Sequence, residues 1–371
     1  MTHRVFVSAG EASGDRHLGA LLDALGSEHD LELFGLGGDR VRSHGTELLA
    51  HVDELSVLGF SEVLKRLGFF RSLLKRCVSE IEQRRPDLIL LADYPGFNLR
   101  LARAVKHLGI PVVLYVAPQV WAWRKDRRPG IAQVIDHLMV IFPFEEALFQ
   151  GFPMKVSFVG HPLLDHAAET QPGFREALQI PREQKVLALL PGSRPSEVRA
   201  LLPMLLEGTQ VLAREGVVRV VSRAPGAPEE CFEGINAHVW EGNLASLVAH
   251  ADAAMVASGT ATLETGLHGT PLAVVYKVGL LNWLLARLLV KKQPIGLVNI
   301  AGQSDLIPEL IQGDLTAENI DRVARNLLFD QTTREEQRAY LSNLSQKLGG
   351  EGAAANAAKV VASYLTKSGG A

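Results

Sequence analysis

At 371 residues the chain exceeds what one ordinary hydrophobic core organises, so two domains are expected. A composition of 47% hydrophobic and 21% charged residues excludes a disordered chain, and a net charge of -3 excludes a global field drawing it to nucleic acid. Two distant cysteines, Cys77 and Cys231, offer neither a disulfide framework nor a metal cluster, and point to a reduced, cytosolic compartment.

The start of the chain runs straight into an apolar strand at 4–8, without the charged region, apolar core and cleavage site of a signal peptide. Residues 9–15 then read as a small-residue loop and 17–25 as a helix. A second strand at 31–36 ends in Gly37-Gly38. A long helix over 61–83 carries Lys65, Arg66, Arg71, Lys75 and Arg76. Residues 88–92 are an unbroken apolar run, the mark of a strand buried on both faces. The run stops at Asp93, Pro95-Gly96 turns the chain, and Asn98 is placed to cap the following helix. Further strands are expected at 111–116, 138–141 and 155–159.

Gly160-His161-Pro162 closes this half, and the polar stretch 169–182, with Pro172 and Pro181, reads as an interdomain segment. The pattern then restarts. A strand at 186–190, a helix at 197–214 and strands at 217–222, 238–240, 253–257 and 272–276 follow. From about residue 316 the tail is helical. Strands alternating with helices imply βαβ units and parallel sheets. The expected fold is α/β: two Rossmann-like domains facing a cleft, over 1–165 and 166–335, with C-terminal helices over 336–371.

Between them, residues 278–290 are apolar, interrupted by Arg287 and followed by Lys291-Lys292. No run reaches the about 18 apolar residues of a spanning helix. This segment reads either as a core helix or as one lying in a membrane surface, with Trp283 at headgroup level.

Four junctions carry candidate chemistry. Asp93 lies at the carboxyl end of a central strand, where ligands bind in open α/β sheets, although Asp also simply starts turns. The Gly10-Glu11-Ala12-Ser13-Gly14-Asp15 loop can bring backbone close to a ligand, but has neither the dinucleotide fingerprint nor a P-loop. Gly192-Ser193-Arg194 offers amides and a guanidinium to a diphosphate, or else is a Pro-Gly turn with Ser193 as cap and Arg194 solvated. Ser258-Gly259-Thr260 keeps a third strand-to-helix turn clear, and Glu264 can accept from ribose hydroxyls or merely favour the helix start. Trp121 and Arg124 sit in a basic, tryptophan-bearing stretch suited to a sugar and a phosphate, or to a core Trp and a solvated turn. No metal-ligand spacing is found, so a metal-free, cofactor-free mechanism is the simpler expectation.

In their order and spacing these junctions resemble the lipid-A-disaccharide synthase family over nearly the whole chain. The resemblance is carried by residues 9–15, Asp93-Tyr94-Pro95, Val120-Trp121-Ala122-Trp123-Arg124, Gly160-His161-Pro162, Leu190-Pro191-Gly192-Ser193-Arg194, Ser258-Gly259-Thr260-Ala261 with Glu264, and Val298-Asn299. It implies a GT-B glycosyltransferase that joins UDP-2,3-diacylglucosamine to 2,3-diacylglucosamine 1-phosphate (lipid X), forming a β-1,6 disaccharide and UDP. It implies Asp93 as base, Gly192, Ser193, Arg194, Ser258, Gly259, Thr260, Glu264 and Asn299 on the donor, and Gly10, Glu11, Ser13, Trp121, Arg124 and His161 around the acceptor. It further implies peripheral attachment to the inner face of the cytoplasmic membrane, where the apolar 278–290 segment meets acyl chains, and a possible homodimer by helix exchange. Nucleic acid is not an expected partner. Two departures stand out: Gly96 replaces a second Asp common in the family, and Gln303-Ser304-Asp305 replaces Gly-Arg-Glu. Rival readings are another nucleotide-sugar enzyme, such as a UDP-N-acetylglucosamine 2-epimerase, and a non-catalytic lipid- or nucleotide-binding protein. Retention of every junction, Asp93 included, argues against the second.

Overall fold

The computed structural model describes residues 2–26, 29–55, 66–123, 125–166, 174–278 and 294–366, with backbone alone at 122, 123, 125 and 166. Arg124, the start of the 61–83 helix, residues 169–173 of the 169–182 segment and all but Val278 of the apolar 278–290 segment lie outside the described residues.

The chain forms two compact units. One comprises Met1–Asp165 with Gly349–Ala371, the other His166–Leu348. In the first, β1 (His3–Ala9), β2 (Leu31–Gly37), β3 (Glu47–His51), β4 (Leu88–Ala92), β5 (Val112–Tyr115), β6 (His137–Val140) and β7 (Lys155–Phe158) make one parallel sheet in the order β3-β2-β1-β4-β5-β6-β7. In the second, β8 (Val186–Leu190), β9 (Val218–Ser222), β10 (His238–Trp240), β11 (Ala253–Ala257), β12 (Leu272–Tyr276) and β13 (Glu309–Ile311) make another, in the order β10-β9-β8-β11-β12-β13. Each order reverses once, between β1 and β4 and between β8 and β11. A crevice opens beyond the carboxyl ends of the strands at such a switch point.

The apolar run of β4 explains its central place. Leu88, Leu90 and Ala92 face the helices Ala12–Leu25 and Ala353–Leu365, while Ile89 and Leu91 face Leu67–Arg84 and Pro95–Val105. Every residue of β4 is buried, and each fully buried leucine contributes about 1.5–3 kcal/mol of transfer free energy. The run cannot alternate because neither face meets water.

Three local expectations are corrected. The first helix begins at Ala12 rather than His17, so Ser13, Gly14 and Asp15 lie on its first turn and the loop shrinks to Gly10 and Glu11. Asn98 does not cap a helix: the helix already starts at Pro95, after Tyr94, and Asn98 is inside it. The expected 197–214 helix is two, Pro195–Gly208 and Gln210–Arg214, with Thr209 between them bonding its hydroxyl back to the Leu205 carbonyl.

The tail divides. Helix Gln331–Lys347 packs on Ala317–Phe329 and Thr260–Leu267 in the second unit, whereas Ala353–Leu365 lies against Ala12–Leu25 in the first. That last helix starts at Gly352 without a capping side chain of its own. Asp165 supplies one from far back in sequence, accepting from the amides of Gly352 (2.6 Å), Ala353 (3.0 Å) and Ala354 (2.8 Å). A carboxylate there satisfies three otherwise orphaned donors and opposes the positive end of the helix dipole. Asp165→Ala is expected to cost about 1–2 kcal/mol, lowering the melting temperature by a few degrees in a thermal unfolding scan. An unchanged melting temperature would contradict this.

Candidate active site

In the first unit the switch-point crevice gathers the N-terminal motif around Asp93. The backbone beyond β4 is strained: Asp93 (φ 47°) and Tyr94 (φ 48°) are both left-handed, and so is Val116 (φ 69°) just beyond neighbouring β5. Such conformations cost about 1–3 kcal/mol each in ordinary residues and cluster at functional sites. The Asp93 amide donates to the Tyr115 carbonyl (2.9 Å), extending the β4–β5 ladder by one bond. Its carbonyl accepts from Asn98 Nδ2 (2.8 Å).

The glycines of the first motif make room for this turn. A Cβ on Gly10 would lie 2.2 Å from the Tyr94 ring, and one on Gly14 would lie 3.3 Å from the Ala92 carbonyl and 3.7 Å from Asp93 Cβ. Gly10 is therefore needed for a close approach rather than for a turn angle. Exposed Glu11 is near enough to Tyr94 to influence its hydroxyl electrostatically, and Ser13 is half-buried on the first turn. Asp15 is turned away and serves the fold, accepting from the amides of Gly38, Arg40 and Val41. Burial holds the half-buried Asp93 carboxyl above its usual pKa, opposed only by a hydrogen bond from the Tyr94 backbone. A carboxylate so placed is a better proton acceptor than a solvated one.

Trp121 and His161 form a separate cluster beyond β6 and β7. Trp121 stands edge-on to Phe142 and Phe144 and donates its indole N–H to Glu145 (3.0 Å). Glu145 also accepts from the amides of Phe142 and Ile141, and burial pushes its carboxyl up to about 7. His161 packs on the Phe142 ring, with centroids 5.1 Å apart. Its Nδ1 accepts from the Leu163 amide, and burial, with His17 nearby, lowers its pKa to about 3. The imidazole is therefore neutral and largely enclosed. Glu145 was invisible in the sequence because nothing local links it to Trp121.

In the second unit the other switch point holds the remaining motifs. Gly192 is left-handed (φ 103°), and a Cβ there would meet Glu197 Oε2 at 2.5 Å. Arg194, not Ser193, is the N-cap of Pro195–Gly208, and its guanidinium is exposed beside Glu197 (3.3 Å). Across the switch, Gly259 (φ 150°) precedes the helix Thr260–Leu267, and Ser258 Oγ donates to the Ile295 carbonyl (2.8 Å). Glu264 is half-buried one turn into that helix. Two helix N-termini thus open beside one exposed arginine, an arrangement suited to an anion.

Asn299 is enclosed rather than open to a ligand. It is 1% exposed, and its amide donates to the Ile307 carbonyl and Glu309 Oε1 while accepting from the Ile307 amide. It shapes the 299–307 turn instead of presenting a free group. Glu309, which also accepts from the amides of Ile295 and Gly296, anchors the same turn. It lies on β13, a strand the sequence did not reveal.

A family model described as Lipid-A-disaccharide synthetase matches residues 5–363. The chain belongs to that family. It is 40% identical to a lipid-A-disaccharide synthase of Myxococcus xanthus, covering 98% of this chain and 97% of that one. It is likewise 40% identical to one of Syntrophus aciditrophicus, covering 98% of each. Among solved structures it is similar to the calicheamicin glycosyltransferase CalG4 (17% identity, 99% of each chain, TM-score 0.64). It is also similar to a UDP-GlcNAc 2-epimerase of Neisseria meningitidis (12% identity, 99% and 100% covered, TM-score 0.60). These likenesses agree with two parallel-sheet α/β domains of GT-B type. As a lipid-A-disaccharide synthase the protein is a hexosyltransferase of lipid A biosynthesis. Of the two departures from the family pattern, Gly96 is exposed, and among the described residues nothing lies within 4 Å of where its Cβ would be. Gln303 is left-handed (φ 51°), and the Ser304 amide returns to the Asn299 carbonyl, which makes this stretch the tight end of a helix.

Proposed function

We propose that the protein transfers the sugar of UDP-2,3-diacylglucosamine, with inversion, to the 6-hydroxyl of 2,3-diacylglucosamine 1-phosphate. The observation that carries this reading is the half-buried Asp93 carboxyl on a strained turn at the β1/β4 switch. An alcohol is a weak acid, so its proton must leave as the new bond forms. The Asp93 carboxylate takes that proton while the acceptor oxygen bonds to the donor C1. The bond from C1 to the phosphate oxygen breaks, and UDP departs with the electron pair. Attack from the face opposite the leaving group converts an α-linked donor into a β-1,6 disaccharide.

The second unit holds the donor. Arg194 and the amides around Gly192 and Ser193 meet the diphosphate and its growing charge, Ser258, Gly259 and Thr260 line the turn beside it, and Glu264 holds the ribose. Asn299 contributes by fixing its turn. In the first unit, Glu11 and Ser13 border the acceptor, with Trp121 and His161 on its farther side. Acylated substrates, one of them carried on UDP, suit a reaction at the cytoplasmic face of the inner membrane. Among the described residues no helix is long and apolar enough to cross a membrane, which suits peripheral attachment.

Incubation with both substrates is expected to give the disaccharide 1-phosphate by mass and one UDP per product. Turnover is expected to persist unchanged in excess chelator, because Arg194 and backbone amides neutralise the leaving group. No disaccharide from these substrates would defeat the assignment, and loss of the reaction on chelation would defeat its metal-free form.

A further inference from the structure

We infer that Ser8 and Asn98 are positioning residues for the transfer, together setting the backbone on which the Asp93 carboxylate stands. The inference rests on Asp93 being the base. Both residues are wholly buried, Ser8 near the end of β1 and Asn98 inside the helix Pro95–Val105.

The chemistry of the cluster fixes which way the Asn98 amide points. Three backbone carbonyls face one end of it: Asp93 (2.8 Å), Ala92 (3.3 Å) and, at the limit of reach, Ser8 (3.5 Å). Carbonyls only accept, so that end must be the NH2 group. The amide oxygen is wholly buried and needs a donor from the protein, and the Ser8 hydroxyl supplies it at 2.6 Å. Removing the hydroxyl leaves a buried acceptor unsatisfied and loosens the amide's hold.

The site of this clamp is what links it to catalysis. β4 pairs with β1 up to Ala9 and Ala92, and with β5 up to Ala92 and Tyr115. Beyond that register the sheet offers nothing to the Asp93 carbonyl, and just there the chain turns left-handed through Asp93 and Tyr94. Asn98 takes over where the ladder ends. The peptide group before Asp93 is held by the Tyr115 carbonyl and the one after it by Asn98. With both fixed, the Cα–Cβ direction of Asp93 is fixed as well. Gly14 leaves the space opposite its Cβ clear. A base displaced by about 1 Å loses up to about 10²-fold in rate, so this clamp acts on the chemical step more than on binding.

Steady-state kinetics with UDP-2,3-diacylglucosamine and 2,3-diacylglucosamine 1-phosphate test the idea. Ser8→Ala and Asn98→Asp are expected to lower kcat by about 10–100-fold, with both KM values and UDP affinity within about twofold of the parent. Ser8→Ala removes one oxygen atom and is the milder test should Asn98→Asp not fold. Thr46→Ala is the control for general weakening. It removes a buried hydroxyl bonded to the Val41 carbonyl (2.8 Å) in the same unit, remote in the sheet from β4, and is expected to keep the parental kcat. Parental kcat in Ser8→Ala and Asn98→Asp overturns the inference, as does an equal loss in Thr46→Ala. An active Asp93→Asn would instead remove the base itself, whereas an inactive Asp93→Asn beside fully active Ser8 and Asn98 variants would sink only the clamp.

Discussion

Asp93→Asn is expected to lower turnover by about 10²–10⁴-fold, the usual worth of a general base, while UDP binds as before. The amide keeps the size of the carboxyl but cannot accept the hydroxyl proton. UDP affinity should persist because the determinants proposed for it sit in the second unit, on Gly192, Arg194 and Glu264. The pH profile gives an independent check. Burial raises the Asp93 pKa, so the acid limb of kcat/KM should lie above the ordinary aspartate value, with rate rising as pH climbs through it. The variant should lack that limb. Stability should move the other way. A carboxyl with a raised folded-state pKa stabilises the fold fully below its unfolded pKa, and that contribution is lost as pH rises through the folded value. At neutral pH the charged form is therefore a burden, and Asp93→Asn should unfold at the same temperature as the parent or higher. Near-parental turnover in the variant would remove Asp93 from the mechanism.

The second large effect is expected at Arg194. Arg194→Ala should reduce kcat/KM for the donor by about 10²–10³-fold, as when a principal donor to a developing anion is deleted. The side chain is 70% exposed and its ion pair with Glu197 spans one helical turn, so the melting temperature should hardly change. Arg194→Lys should recover only part of the loss, since a point charge replaces a planar fork of donors. If donor kinetics in Arg194→Ala match the parent, the diphosphate lies elsewhere.

Most of the central fold was legible because β4 and β8 are buried on both faces and carry unbroken apolar runs. The junction motifs then fell at the two switch points. The edge strands β3 and β13 escaped, since Glu47–His51 begins and ends in polar residues and Glu309–Ile311 is only three residues long. Short strands with one paired side carry little pattern. The start at Ala12 was hidden because Glu11 caps without a side-chain bond, and Gly14 looks like loop. Asn98 was read as a cap because Asn favours that position. The Pro95 start and the left-handed Tyr94 moved it inside, where it found Asp93. Asn299 was singled out by resemblance, but its bonds to Ile307 and Glu309 depend on a turn that no local pattern announces.

The cap that Asp165 places on the helix Ala353–Leu365 also orders events during synthesis. Gly352 follows Asp165 by 187 residues, which at about 5–20 residues per second is a delay of roughly 10–40 s. Residues 166–348, the whole second unit, are synthesised in that interval. The first unit, begun earliest, waits for its final helix with Leu18, Leu21, Leu22 and Leu25 lacking the cover of Ala357, Ala358, Val361 and Leu365. The nascent chain thus carries an open apolar face until residues 353–365 have been made.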